Sequence, residues 1–347
     1  MKPGDLSPRS AASRYLDNRR PEVSDGTYSS YRYRLKLFVE WCENEGIENI
    51  GDLNGWTLDE YRAYRAAEGL QPSTLHNEMD TLRIFAGYLD RIEATDDLQE
   101  SVDVPMVPDK DRSRDKMLEP ERALDLLKSY RGPGPLHATR FHVLLELAWH
   151  TGARMGGIIA LDLRDVDLEE NYLWFRHRPE TDTPLKKQRD GERPVAISEE
   201  VTTVIQDYID DNRPDGHDEY GRDPLLVTSR GTRPAGGTLR SWMYEATQPC
   251  HFRECPHGHE RSTCDYREHG RWSGCPSSRA PHHVRTGSLT WQRNRGVPKD
   301  VLKERANAAE STIEEYYDKA TSRDRMETRR RPYVDKLGLD HDAEDDQ

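Results

Sequence analysis

Residues far apart in the sequence could together carry out chemistry at phosphorus. His282 and Arg285 form an HxxR motif, Tyr316 and Tyr317 follow near the C-terminal end, and Arg154 lies far upstream in the segment TGARMGG. A guanidinium offers a planar fork of donors that matches two phosphate oxygens, and it keeps its charge. A phenol, with a pKa near 10, attacks once a base or a positive potential activates it. The set predicts phosphodiester cleavage in which a tyrosine, rather than a metal-bound water, is the nucleophile.

In this order the residues resemble the active site of the tyrosine recombinase (phage integrase) family. The segment before Arg154 is also similar to that family's helical core-binding domain, so the resemblance covers most of the chain. It implies a mainly α fold with a small β-sheet, in which an N-terminal helical core-binding (SAM-like) domain precedes a C-terminal catalytic domain. It implies a site-specific DNA recombinase or integrase that works through a 3′-phosphotyrosyl intermediate, with no cofactor for catalysis. The implied partners are double-stranded DNA and further copies of the chain, as a tetramer on DNA.

The resemblance assigns further roles to residues whose choice the sequence leaves open. In the family a lysine on a strand-turn-strand element protonates the leaving 5′ oxygen, and the matching segment TPLKKQRDGERPVAIS offers Lys186 first and Lys187 close behind. Tyr316 and Tyr317 are neighbours on a helical segment, so their side chains diverge by about 100° and only one can face the arginines. We choose Tyr317, because Asn307 then stands ten residues before it, at the family's penultimate His or Trp position.

Three positions depart from the family pattern. Gly157 stands where a Glu commonly follows the first arginine, Asn307 replaces the penultimate His or Trp, and His283 follows His282 where an acidic or leucine-type residue is common. An Asn can still donate a hydrogen bond to a phosphate. Gly157 and Asn307 support an alternative function, a recombinase-fold DNA-binding regulator with impaired catalysis.

The first part of the chain has the pattern of a helical bundle. Apolar residues recur at helical spacing from Thr27, Thr57-x-x-Glu60 has the form of a capping box for a second helix, and Ser73 is the predicted cap of a third. Residues 1–94 are therefore predicted to form the core-binding domain. Residues 95–116, with two prolines and a dense run of charges, are the predicted linker.

Residues 117–331 are predicted to form the catalytic domain. Pro120 fits the first turn of a helix through Tyr130, and the segment FHVLLELAWH is a strongly apolar helix that delivers Arg154. Two short strands, Tyr172 to Arg176 and Pro194 to Ile197, flank the lysine-bearing turn. Residues 332–347 have the composition of an acidic disordered tail.

Four of the five cysteines crowd into an insert predicted at residues 248–278. A cluster of this kind in a large cytoplasmic protein favours a metal site over disulfides. Four thiolates suit tetrahedral zinc, and a histidine could replace one of them. We therefore expect a structural zinc on Cys250, Cys255, Cys264 and Cys275. A second rival function, a zinc-dependent nuclease, would use this insert as its active site but leaves Arg154, Arg285 and Tyr317 without a role.

The composition limits the cell type and the compartment. The formal net charge is −13, and 11 of the 51 basic residues are lysine, a pattern that favours the cytoplasm of a halophilic archaeon. A basic surface would be the usual partner for DNA, so the arginines must be concentrated where phosphates bind. No apolar stretch of about 18 residues is present, so we expect a cytoplasmic protein without a membrane span.

Overall fold

The computed structural model describes residues 2–108, 116–313 and 320–334. The chain divides into two compact units, Met1–Arg114 and Asp115–Gln347. Both are mostly helical, which confirms the predicted fold class. Within the described part of the chain, no helix has the length and apolar character needed to cross a membrane.

Over residues 2–108, the first unit is a bundle of four α-helices. They are α1 (Pro8–Arg19), α2 (Asp25–Asn44), α3 (Gly55–Ala67) and α4 (Pro72–Arg91). The side chain of Asn54 accepts from the N–H groups of Trp56 and Thr57 and thereby caps α3, so the predicted capping box at Thr57 is wrong. Helix α4 begins with a proline in its first turn, without the cap predicted at Ser73. Proline fits there because its missing N–H would have no partner within the helix.

An aromatic core and one buried ion pair hold this bundle together. Phe38 and Phe85 are 1% exposed, and Tyr15 packs edge-on against Phe85. The Arg65 guanidinium donates to both carboxylate oxygens of Glu78, at 2.8 and 3.0 Å. Such a bidentate pair satisfies both buried charges at once.

Part of the predicted linker packs onto the first unit. Leu98 and Val102 are buried in its core, and the Asp90 carboxylate accepts from the N–H groups of Leu98 and Gln99. Residues 95–108 therefore run along this unit, whereas residues 109–115 lie outside the described residues.

The second unit is helical with one small sheet. In the part of this unit that the structure describes, the α-helices of six or more residues are α5 (Pro120–Arg131), α6 (Arg140–Thr151), α7 (Met155–Ala160), α8 (Glu199–Asp207), α9 (Gly236–Ala246), α10 (Pro281–Asn294) and α11 (Lys299–Ala306). The strands there are β1 (Val166–Asp167), β2 (Tyr172–Phe175) and β3 (Arg193–Ala196). The order β1-β2-β3 is antiparallel throughout, with Leu173 opposite Val195. The two strands predicted around the lysine turn are thus confirmed as β2 and β3.

Helix α6 forms the centre of the second core. Val143, Leu144, Leu145, Leu147 and Trp149 have no measurable exposure, so nearly every face of this helix is covered. A helix that is covered on nearly every face lies inside the domain. Because this helix is buried, its C-terminal end determines the position of the residues that follow it, Gly152 to Arg154.

Candidate active site

The turn after α6 carries Arg154 into the site. Gly152 ends the helix with φ +59°, a left-handed conformation that favours glycine. A Cβ at this position would also lie 2.7 Å from Leu289 Cδ2 of α10. The Thr151 hydroxyl accepts from the N–H of Ala153, and Arg154 then becomes the N-cap of α7.

Helix α10 places Arg285 beside the same turn. A Cβ on Gly287 would lie 1.9 Å from the Leu118 carbonyl oxygen, so only glycine permits this close packing. Arg285 is 3% exposed, and its Nη1 donates to the carbonyl oxygens of Gly152 and Ala306. The guanidinium therefore bridges the end of α6 and the end of α11.

Asn307 joins Arg154 to the β2–β3 hairpin. It caps α11 in the left-handed conformation, with φ 51° and ψ 52°. Arg154 Nη1 donates to the main-chain carbonyl oxygen of Asn307. The side-chain Nδ2 of Asn307 donates to the Lys186 carbonyl oxygen at 2.9 Å. Gly191 lies against this contact, because a Cβ there would be 2.7 Å from Asn307 Nδ2. A small pocket results, lined by Arg154, Gly157, Leu185, Lys186, Arg193, Ala306 and Asn307.

The two lysines of the hairpin have different surroundings. Lys186 is exposed and lines the pocket that contains Arg154 and Asn307. Lys187 has φ 73° and lines a separate surface depression with His177 and Glu192.

His282 lies one helical turn before Arg285 on α10. Partial desolvation lowers the pKa of its imidazole, and the positive charges of Arg285 and Arg154 lower it further. These charges act on His282 because the three residues lie in one region of the second unit. A ring with a lowered pKa is neutral at neutral pH, the form that can accept a proton.

Two further arginines contribute to the positive charge. Arg193 Nε donates to the Arg305 carbonyl oxygen at 2.8 Å, and Arg305 in turn donates to the carbonyl oxygens of Ala196 and His150. Burial and the charges of Arg285, Arg154 and Arg305 lower the pKa of Arg193 to about 10. Within the ranges that the structure describes, no carboxylate forms an ion pair with Arg154, Arg193 or Arg305.

Comparison with known proteins identifies the family. A model described as the phage integrase family matches residues 116–323, and one described as the phage integrase N-terminal SAM-like domain matches residues 13–92. The chain belongs to the phage integrase family.

Three similar proteins illustrate the relationship. The chain is 23% identical over 302 residues to a probable integrase/recombinase protein of Methanocaldococcus jannaschii, covering 84% of this chain and 80% of that protein. It is 24% identical over 194 residues to the tyrosine recombinase XerD of Pasteurella multocida, covering 56% of this chain and 60% of that protein. A solved structure of the Tn1549 transposon integrase in complex with a circular intermediate DNA shares the fold, with a TM-score of 0.67 and 15% identity over 96% of this chain and 100% of that one.

Four of the six predicted catalytic residues line one pocket or contact its walls. They are Arg154, Lys186, Arg285 and Asn307, and the electrostatic effect on His282 adds a fifth. Tyr317 and its alternative Tyr316 lie outside the described residues. The prediction missed Arg193, although its position at the head of the strand after the lysine turn was a usable signal.

The structure of the cysteine-containing insert does not support the predicted zinc site. Among residues 2–108, 116–313 and 320–334, no group of three or more His, Cys, Asp or Glu side chains could hold a metal ion. Cys250 is buried, and its Sγ accepts from Arg267 Nη1 at 3.7 Å. Cys275 is also buried, whereas Cys255 and Cys264 are partly exposed.

Hydrogen bonds to main-chain carbonyls hold this insert against the domain instead. Arg122 Nη2 donates to the carbonyl oxygens of Thr247, at 2.6 Å, and Ser277. Within the insert, Gln248 Nε2 donates to the Tyr266 carbonyl oxygen at 3.1 Å. The structure therefore does not support the predicted zinc, since a cysteine count identifies potential ligands but not the directions of their side chains.

Proposed function

We propose that this integrase is a site-specific DNA recombinase that cleaves and rejoins strands through a 3′-phosphotyrosyl intermediate. The observation that carries the proposal is the meeting of Arg154 and the Lys186 hairpin around one pocket, with Asn307 as the link. Arg285 joins them by donating to the carbonyl oxygen of Ala306, which lines this pocket. Phosphodiester transfer needs fixed positive charge where negative charge develops on the phosphate oxygens.

Each residue has a definite role in the proposed reaction. The Tyr317 oxygen attacks phosphorus and its proton passes to neutral His282, while Arg154 and Arg285 stabilise the nonbridging oxygens. The bond from phosphorus to the 5′ oxygen breaks, and Lys186 protonates that oxygen. Attack by a 5′ hydroxyl on the phosphotyrosine reverses these steps and reseals a strand, so the bond energy is conserved and no cofactor is required.

The proposal includes the assembly and the setting. Double-stranded DNA is the substrate, and four copies of the chain act together at a crossover, since two duplexes each need both strands cut. The protein works in the cytoplasm. Its acidic composition supports a separate hypothesis of origin in a halophilic archaeon, which cooperative unfolding retained at very low salt would contradict.

One observation favours the second candidate, a DNA-binding regulator with impaired catalysis. The Asn307 side-chain amide donates one of its two N–H groups to the Lys186 carbonyl oxygen, so half of its donor capacity holds the hairpin and is not directed at a phosphate. If strand cleavage requires a hydrogen bond from residue 307 to the phosphate, a protein whose Asn307 does not supply it would bind DNA without cutting it.

A nicked suicide duplex, incubated with the protein and chelator, distinguishes a recombinase from a regulator and from a nuclease. Cleavage releases a short fragment that carries the 5′ hydroxyl, and this fragment dissociates, so the strand cannot be resealed. The recombinase proposal predicts a covalent protein–DNA adduct that survives denaturation. A regulator would shift the mobility of the duplex but form no adduct. A metal-dependent nuclease would release free ends only after the metal is restored.

A further inference from the structure

Arg193 lies at the start of β3 and lines the pocket with Arg154 and Lys186. Its Nε donates to the Arg305 carbonyl oxygen and its Nη1 to the Gly191 carbonyl oxygen, both at 2.8 Å. The guanidinium also lies over the Phe175 ring, 4.5 Å from its centroid. Two backbone carbonyls and an aromatic face therefore fix its orientation before any ligand binds.

The fixed guanidinium still has donors to offer. An arginine side chain has five N–H donors, and the two bonds to Arg305 and Gly191 use two of them. In the part of the chain that the structure describes, the other donors of Arg193 reach no acceptor, and no carboxylate neutralises its charge. Arg193 is held in place beside the cations Arg154 and Lys186, so an anionic ligand in the pocket would stabilise all three.

Arg305 has a different role although it lies next to Arg193. Its two terminal nitrogens donate to the carbonyl oxygens of Ala196 and His150, each at 3.0 Å. Its donors thus connect β3 with the end of α6. Arg305 does not line the pocket.

We propose that Arg193 is a third phosphate-binding arginine, which contacts the scissile phosphate together with Arg154 and Arg285. This inference rests on the proposed function and adds a residue to its substrate site. A phosphodiester carries one negative charge and gains further charge on its nonbridging oxygens in the transition state, so a third guanidinium contributes most at that point.

The test compares two DNA substrates and three variants. One suicide duplex has an ordinary scissile phosphate, and the other has a methylphosphonate there, which carries no charge in the ground state. The variants are Arg193→Gln, Arg193→Lys and a control, Arg176→Gln. Arg176 follows β2 on the same hairpin, is exposed and lies over Trp174 outside the pocket.

We expect Arg193→Gln to slow adduct formation on ordinary DNA by about 100-fold, the effect of removing one preorganised donor from a developing anion. The loss should be at least tenfold smaller on the methylphosphonate, since less charge needs stabilisation. Arg193→Lys should lie between Arg193→Gln and wild type, and Arg176→Gln should match wild type on both substrates. Thermal unfolding of each variant verifies that it is folded.

Equal loss on both substrates would overturn the inference, because a structural role through Gly191 and Arg305 does not depend on phosphate charge. Wild-type rates for Arg193→Gln would also overturn it. Should that variant fail to fold, the same comparison of substrates with Arg193→Lys decides. A wild-type protein that forms no adduct on ordinary DNA would refute the proposed function itself, a result distinct from these two.

Discussion

Lys186 and Lys187 are adjacent in the sequence, yet their backbones direct them to different sites. Asn307 holds the carbonyl of Lys186 and places that residue at the pocket of Arg154. Lys187 follows in the left-handed conformation, which turns the chain away from the pocket. Sequence spacing could not separate these residues, because the choice depends on a contact with Asn307, more than 100 positions away.

Because Lys186 lines the pocket and Lys187 does not, we predict that Lys186 protonates the leaving oxygen. Lys186→Ala should slow strand cleavage by about 100-fold, in the range expected for loss of a general acid. A substrate with sulfur in place of the leaving 5′ oxygen should restore its rate, because a thiolate leaves without protonation. Lys187→Ala is the matched control, and a larger defect there than in Lys186→Ala would reverse the assignment.

The lowered pKa of His282 predicts how the rate of adduct formation changes below neutral pH. Its folded pKa is lowered, mainly by desolvation and then by Arg285 and Arg154, so the imidazole stays neutral at pH values where a free histidine, of pKa about 6.5, begins to protonate. Single-turnover adduct formation should therefore be constant near neutral pH and fall only below about pH 6.5. His282→Gln should be slower and should lack this decline. A decline that begins above pH 7 in wild type would contradict the role of a neutral base.

Asn307 shows what sequence spacing can and cannot establish. Its position was predicted from the distance to Tyr317, and the structure does place it at the pocket. Its proposed bond to phosphate stays a prediction, while its amide donates to the Lys186 carbonyl oxygen. A sequence pattern locates a residue along the chain, but rotamer and hydrogen-bond partner depend on the packed neighbours.

At the level of elements, the junction of α6 and α10 determines how well Arg154 is held. Gly152→Ala should lower the free energy of unfolding by about 2 kcal/mol, because φ is +59° and the new Cβ would lie 2.7 Å from buried Leu289. Urea unfolding measures this value.

Gly156→Ala is the control for that substitution. Gly156 lies inside helix α7, and a Cβ added there would meet no atom within 4 Å, so alanine should raise stability by about 0.5–1 kcal/mol. Equal effects of the two substitutions would contradict the argument that close packing requires glycine at Gly152.

Elements with a strong periodic pattern were the ones that the sequence predicted well. The apolar helix α6 and the hairpin strands β2 and β3 lie where their composition placed them. Helix caps were less predictable, since Asn54 rather than Thr57 caps α3. Several polar residues near a helix start can serve as a cap, and the incoming direction of the chain selects among them.

For the whole molecule, overall composition and local charge differ. The formal net charge is −13, yet four arginines lie close together in the second unit. Burial first, and then the charges of Arg285, Arg154 and Arg305, lower the pKa of Arg193. Net charge therefore could not show whether the chain binds an anion. The distribution of arginines in three dimensions carries that information.

The cysteines give a prediction about the stability of the molecule. Because the four insert cysteines do not form a metal-binding group, chelator should leave the unfolding temperature unchanged. In the native protein the partly exposed Cys255 and Cys264 should react rapidly with a thiol reagent. Cys42 should react only after unfolding, since it is fully buried and burial raises its pKa to about 12. Four insert thiols that become reactive only with chelator would show a zinc site after all.

The identity of the nucleophile is tested most directly by mass spectrometry of the adduct formed on a suicide duplex. After nuclease digestion, the remaining nucleotide should be attached through its 3′ phosphate to Tyr317, and Tyr317→Phe should yield no adduct while Tyr316→Phe still does. A nucleotide on Tyr316, or adduct formation that persists in Tyr317→Phe, would contradict the assignment. Cleavage without any attached nucleotide would contradict the tyrosine mechanism as a whole.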